Sequence, residues 1–170
     1  MFDLHVAIQS AMGWKDRHLH VFRFLSVAGR SVEVGLRDEF RQPGDWPRIP
    51  GWTMDAETTF HDFGPSATYE YDFGDGWVHD IVLEEILPRE RGVRLPRCID
   101  GARACPPEDC GGPSGYELLL EILADAHHEQ HQEMILWLSR PFDPEAFDPA
   151  KARFMNPQRR LEHWGRLGPG

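Results

Sequence analysis

The chain has 170 residues and a formal net charge of −10, with 41% hydrophobic residues. That length fits one domain, residues 1–170, with a real core, and the acidic balance disfavours duplex DNA, whose phosphates it repels. No run of about 18 apolar residues is present, so no membrane span is expected.

The N-terminus, Met1-Phe2-Asp3-Leu4-His5, has neither a basic n-region nor an apolar h-region, which predicts a cytoplasmic protein without a signal peptide. Asp3 is placed to cap a helix running to Met12. Leu4, Ala7, Ile8 and Ala11 recur at helical spacing as its apolar stripe, and Gly13 ends it. Residues 19–25 read as a strand, Gly29 turns the chain, and residues 31–36 read as a short partner strand. The stretch 41–52, with Pro43, Pro47 and Pro50, reads as an irregular loop, pinned to the core by Trp46 and Trp52. Residues 53–59 read as irregular or as a short helix.

Residues 69–84 carry the clearest signal. Tyr69, Tyr71 and Phe73 alternate with Glu70 and Asp72, and Trp77, His79, Ile81 and Leu83 alternate with Asp80 and Glu84. Strict alternation predicts two strands buried on one face. Gly74-Asp75-Gly76 supplies the turn, because glycine adopts positive φ without penalty. The fold class is therefore α+β: an antiparallel sheet centred on a 69–84 hairpin, with helices packed on one face.

Residues 88–97 form a basic connector, Arg89, Arg91, Arg94 and Arg97 against Glu90, leading to Cys98, Cys105 and Cys110. Ser114 and Glu117 read as a capping box for a helix over 115–124, with Tyr116, Leu119, Leu120 and Leu123 as its stripe. A further helix is predicted over 127–138, ended by Pro141. Pro149 begins a last helix toward Trp164. From Lys151 onward five basic residues face one acid, Glu162, which leaves −14 on residues 1–150. This tail is read as a solvated helix or as one packed on the acidic body.

Three cysteines without a secretion signal argue against a disulfide framework. Thiolates are good zinc ligands, and a tetrahedral site takes four donors. Cys98, Cys105 and Cys110, completed by His79 or His131, are the candidate metal set, with zinc as the cofactor. His127 and His128, in the same helical segment as His131, are further candidates for the fourth donor. Reduced structural thiols, zinc ligands and a redox-active pair are the alternatives, in that order. His131 equally fits a position at the core margin beside Met134, Ile135 and Leu138. His79, Asp75, Asp80 and Glu108 are the candidate catalytic groups, as a base and carboxylates around the hairpin. His79 also suits a buried, hydrogen-bonded structural role. The segment 127–131 misses the His-Glu-x-x-His zinc-protease spacing by one residue, and Asp72-Phe73-Gly74 lacks every other kinase element.

Three groups of residues together resemble a known family. They are the hairpin, Tyr69-Glu70-Tyr71-Asp72-Phe73-Gly74-Asp75-Gly76-Trp77 with His79-Asp80-Ile81; the loop Cys98 to Tyr116; and the segments Asp3–Gln9, Met12-Gly13-Trp14 and Phe142–Asp148. These are similar to the plasmid pRiA4b ORF-three-like family, some of whose members carry a transposon-passenger or "TnpR-like" label. The resemblance covers nearly the whole chain and implies an α+β fold without an established activity. It also implies a further strand before the first helix, which this chain does not show. A sheet edge is then left unpaired, open to self-association or a protein partner. The functional expectations are a non-enzymatic binding or accessory domain associated with mobile elements, then a small protein with structural zinc at residues 98–110, then a hydrolase or nuclease.

Overall fold

The computed structural model describes residues 1–25, 31–36 and 48–167, with side chains through 163. The expected turn at Gly29 and the anchoring role of Trp46 lie outside the described residues. Helix α1 spans Phe2–Met12, and strands β1 (His20–Leu25), β2 (Ser31–Gly35) and β3 (Arg48–Pro50) follow. Helix α2 is Ala56–Phe63, and the hairpin strands are β4 (Ser66–Tyr71) and β5 (Trp77–Val82). Helices α3 (Gly112–Ala124), α4 (His131–Leu138) and α5 (Pro157–Leu167) complete the chain.

The five strands form one sheet in the order β3-β2-β1-β4-β5. All pairings are antiparallel except β2 with β3, where Val34 faces Ile49 in parallel register. The fold is α+β as expected, with that one parallel pair drawn from a stretch read as an irregular loop. Trp52, expected to pin this stretch, is 45% exposed.

Alternation decides the two faces of the sheet. Phe22, Phe24, Val34, Ala67, Tyr69 and Tyr71 point to one side and form the core with Met1, Trp14 and Phe60. Leu4, Ile8 and Met12 of α1 and Phe63 of α2 pack against it. The opposite side is charged: Arg23 bridges Glu33 and Glu70 across three strands, and Arg48 pairs with Glu33. Opposite charges on neighbouring strands stabilise one another across the sheet, and Arg48, Glu33 and Glu70 are largely covered.

Several local expectations are corrected. Helix α1 begins at Phe2, so Asp3 sits inside its first turn, where its charge complements the helix dipole. Its buried positions are Phe2, His5, Val6, Gln9 and Ser10, a face that includes three polar residues, while Leu4 and Ile8 are only partly covered. Burial of His5 and Gln9 is tolerated because both are hydrogen-bonded. Helix α2 owes its start to Asp55, whose carboxylate accepts the Thr58 N–H at 2.8 Å.

The hairpin turn opens earlier than the glycines suggest. Asp72 takes positive φ (55°), and its Oδ1 accepts the N–H groups of Gly74 and Asp75, an arrangement aspartate favours in turns. Phe73 therefore leaves the aromatic face, is 37% exposed, and lies against the Arg48 guanidinium. Helix α3 starts at Gly112 with Gly111 as its cap and no side-chain cap bond, so Ser114 and Glu117 do not form the expected capping box. Helix α4 starts only at His131, and residues 125–130 turn instead, so His127 and His131 do not share a helix face. Among the described residues no helix is long and apolar enough to cross a membrane.

Candidate metal centre

Three segments distant in sequence meet at the open end of β4. The first is the loop 13–19 between α1 and β1, the second is the turn at Asp72, and the third is the loop preceding α3. His18 Nε2 lies 2.9 Å from Asp109 Oδ1, 3.5 Å from Asp72 Oδ2 and 3.6 Å from Glu108 Oε2. This nitrogen is buried and makes no hydrogen bond: the Asp109 oxygen is close enough but stands off the N–H axis.

The carboxylates are held by their far sides. Asp72 is fixed through Oδ1 by the turn, and its own N–H donates to the Leu19 carbonyl at 3.0 Å. Glu108 Oε1 accepts the Lys15 backbone N–H at 2.5 Å, and the Tyr71 hydroxyl donates to the same carboxylate. Tyr71 Oη in turn accepts the Arg17 N–H at 3.0 Å, and burial pushes its pKa up, keeping it a donor. Asp109 takes positive φ (61°), which turns its carboxylate back toward His18. Asp72 and Glu108 are thus placed by a second layer of hydrogen bonds, the pattern that orients metal ligands.

The spacing suits a cation. For metal–ligand bonds of about 2.1 Å, neighbouring donors lie about 3.0 Å apart in an octahedron and about 3.4 Å apart in a tetrahedron. The donor atoms of His18, Asp72 and Asp109 all fall within 4.8 Å of one another, with Glu108 next to them. One imidazole nitrogen with carboxylate oxygens suits Mn²⁺, Fe²⁺ or Zn²⁺.

A second cluster, His5, Asp16 and His20, is fully buried. The His5 and His20 rings stack with centroids 3.4 Å apart and planes within 7°. A metal must lie close to the plane of each imidazole it binds, so two parallel planes this far apart do not share one. His5 is also fully used: Nε2 donates to Asp16 at 2.8 Å and Nδ1 accepts from Tyr69, whose hydroxyl accepts the Gln9 amide. This cluster is a core network. Burial, then the neighbouring His5, holds His20 well below its ordinary value of 6.5.

The groups singled out from sequence are distributed as follows. Glu108 joins the His18 cluster. Asp75 lies beside it and accepts the Gly111 N–H at 3.2 Å. His79 lies on the aromatic face as expected, against Trp14 and Tyr69, with Nδ1 donating to the Tyr69 carbonyl at 3.3 Å, and burial lowers its pKa. Asp80 is on the opposite, exposed face. His131 Nδ1 donates to the Ile122 carbonyl at 2.8 Å, which ties α4 to the end of α3. The Cys98 thiol donates to the Asp100 carbonyl. Cys105 packs on the core, where burial, then Glu108, pushes its thiol up. Cys110 is pushed up to about 11 by burial, then by Asp75. Among the described residues, neither group of three or more clustered donors includes a cysteine, His79 or His131. His18 and Asp72 went unnoticed in the sequence because they are separated by dozens of residues and neither stands in a ligand-spaced motif.

Residues 1–151 match the family described as plasmid pRiA4b ORF-3-like protein. The chain belongs to that family. Within it, the chain is 40% identical over 152 residues to "Uncharacterized protein y4hQ" of Sinorhizobium fredii (strain NBRC 101917 / NGR234), covering 89% of this chain and 72% of that protein. It is also similar to the crystal structure of the protein of unknown function MM3350 from Methanosarcina mazei Go1. That comparison gives a TM-score of 0.78 and 41% identity over 89% of this chain and 82% of that one. The pRiA4b ORF-3-like match stops at residue 151, so α5 with its basic residues lies beyond the matched span.

Proposed function

We propose that this pRiA4b ORF-3-like protein is a binding domain for a divalent cation, held by His18, Asp72 and Asp109 with Glu108 as a fourth donor. The observation that carries the reading is His18 Nε2, a buried nitrogen without a hydrogen bond, clustered with the Asp72 and Asp109 carboxylates and 3.6 Å from Glu108 Oε2. Three carboxylates around one imidazole leave excess negative charge in a part of the chain that is already acidic, and a divalent cation offsets it. The alternative occupant of the same space is a proton on His18, paired with the carboxylates.

Calorimetric titration of the metal-stripped protein with Mn²⁺ and Zn²⁺ separates the two. The expected result is about one equivalent bound by the wild type, lost in His18→Ala and Asp72→Asn. A wild type that takes up neither ion, or variants that bind as it does, would overturn the proposal. The same titration on Cys98→Ser and Cys105→Ser tests zinc held by the cysteine loop. Binding unchanged in both places the ion at His18, whereas binding lost in both returns it to the cysteines.

A further inference from the structure

The loop that carries His18 is gripped by the basic C-terminal helix. Arg160, in α5, donates through Nε to Asp16 Oδ2 at 2.5 Å and through Nη2 to the Lys15 carbonyl at 3.2 Å and to the Asp16 carbonyl. Asp16 has no exposed side-chain surface, takes positive φ (54°), and is held on its other oxygen by His5. The residues flanking it face the cation site: Lys15 and Arg17 give their N–H groups to Glu108 and to Tyr71 Oη. Lys15 therefore offers its N–H to a candidate ligand and its carbonyl to Arg160. A loop in this conformation sets both the direction of His18 and the position of Glu108.

We infer that α5 is a clamp energetically linked to the cation site, with Arg160 as its positioning residue. The inference rests on the reading of the His18 cluster as a cation site. Linkage is reciprocal: a cation that favours the ordered loop tightens the docking of α5, and a loosened α5 weakens the cation. Arg160 suits this role because its planar fork meets a carboxylate and two carbonyls at once, which a lysine ammonium does not reproduce. The basic tail, set against an acidic body, thereby gains a specific seat rather than a diffuse attraction.

Hydrogen exchange of the full chain, with and without Mn²⁺, reads the linkage in the amides of residues 158–163. Mn²⁺ titrations of wild type, Arg160→Lys and Arg160→Gln accompany it. The expected result is slower exchange in α5 when Mn²⁺ is present. Affinity is expected to fall about tenfold in Arg160→Gln, as for other residues that orient ligands, with Arg160→Lys in between. A merely structural Arg160 would change α5 exchange equally with and without Mn²⁺, and that outcome overturns the linkage. So does Mn²⁺ binding to the wild type with α5 exchange unmoved, or an Arg160→Gln protein of wild-type affinity. A wild type that binds no Mn²⁺ overturns the site itself, and this inference with it.

Discussion

Tyr71 donates its hydroxyl to Glu108 at 3.1–3.2 Å while accepting the Arg17 backbone N–H at 3.0 Å. One phenol thus joins the end of β4, the loop before β1 and the loop before α3. Tyr71→Phe removes the acceptor of that N–H and one donor to Glu108. Leaving such groups unmade costs about 1–3 kcal/mol. Urea unfolding should show a loss in that range, and Mn²⁺ affinity should fall with it. A variant as stable as the wild type would mean that water replaces the hydroxyl at no cost.

Acid should weaken the fold through His20. Its folded pKa lies well below 6.5 because burial, then His5 and Arg48, disfavour the imidazolium. The unfolded chain takes up this proton near 6.5 and the folded chain does not. The contribution is therefore complete above about pH 6.5 and is lost as pH falls toward the folded value. The slope is at most about 1.4 kcal/mol per pH unit from this group. His79 is shifted in the same direction by burial. Unfolding free energies at pH 7.5, 6.5 and 5.5 should decline, and His20→Phe should decline less steeply. Equal slopes in both proteins would remove His20 as the cause.

Gly112 adopts φ +69°, and a Cβ there would stand 2.2 Å from the Asp75 carbonyl oxygen. Both the backbone conformation and the contact exclude a side chain, since neither can relax without moving the turn away from α3. Gly112→Ala should cost about 2 kcal/mol or more, read as a lower midpoint in thermal unfolding. A melting curve superimposable on that of the wild type would show that the turn and α3 separate freely.

The thiols of the cysteine loop should be sluggish. With Cys110 at about 11, only about one thiol in a thousand is ionised at pH 8, and Cys105 is shifted further in the same direction. Iodoacetamide treatment of the folded protein, mapped by mass spectrometry, should label both far more slowly than in the urea-unfolded chain. Rapid native labelling of Cys110 would favour the redox-active pair.

The hairpin was legible in the sequence because a strand surface has a period of two, and Tyr69, Tyr71, Trp77, His79 and Ile81 keep that period. The end of α1 was legible for an equally local reason: Gly13 takes the left-handed conformation that closes a helix. Local rules failed where a side chain overrode them. Asp72 captured the turn with its own carboxylate, and His5 and Gln9 displaced the apolar stripe of α1 by finding buried partners. The His18 cluster belongs to neither kind of signal. His18, Asp72 and Asp109 are brought together by β1 pairing with β4, His20 facing Tyr71, and by the loop before α3 closing over that end through Glu108 and Lys15. Sequence by itself determined the hairpin and its buried face, since these follow from alternation along short segments. Only the tertiary structure decided which carboxylates surround one imidazole, because that depends on which distant loops the sheet register brings to the same end.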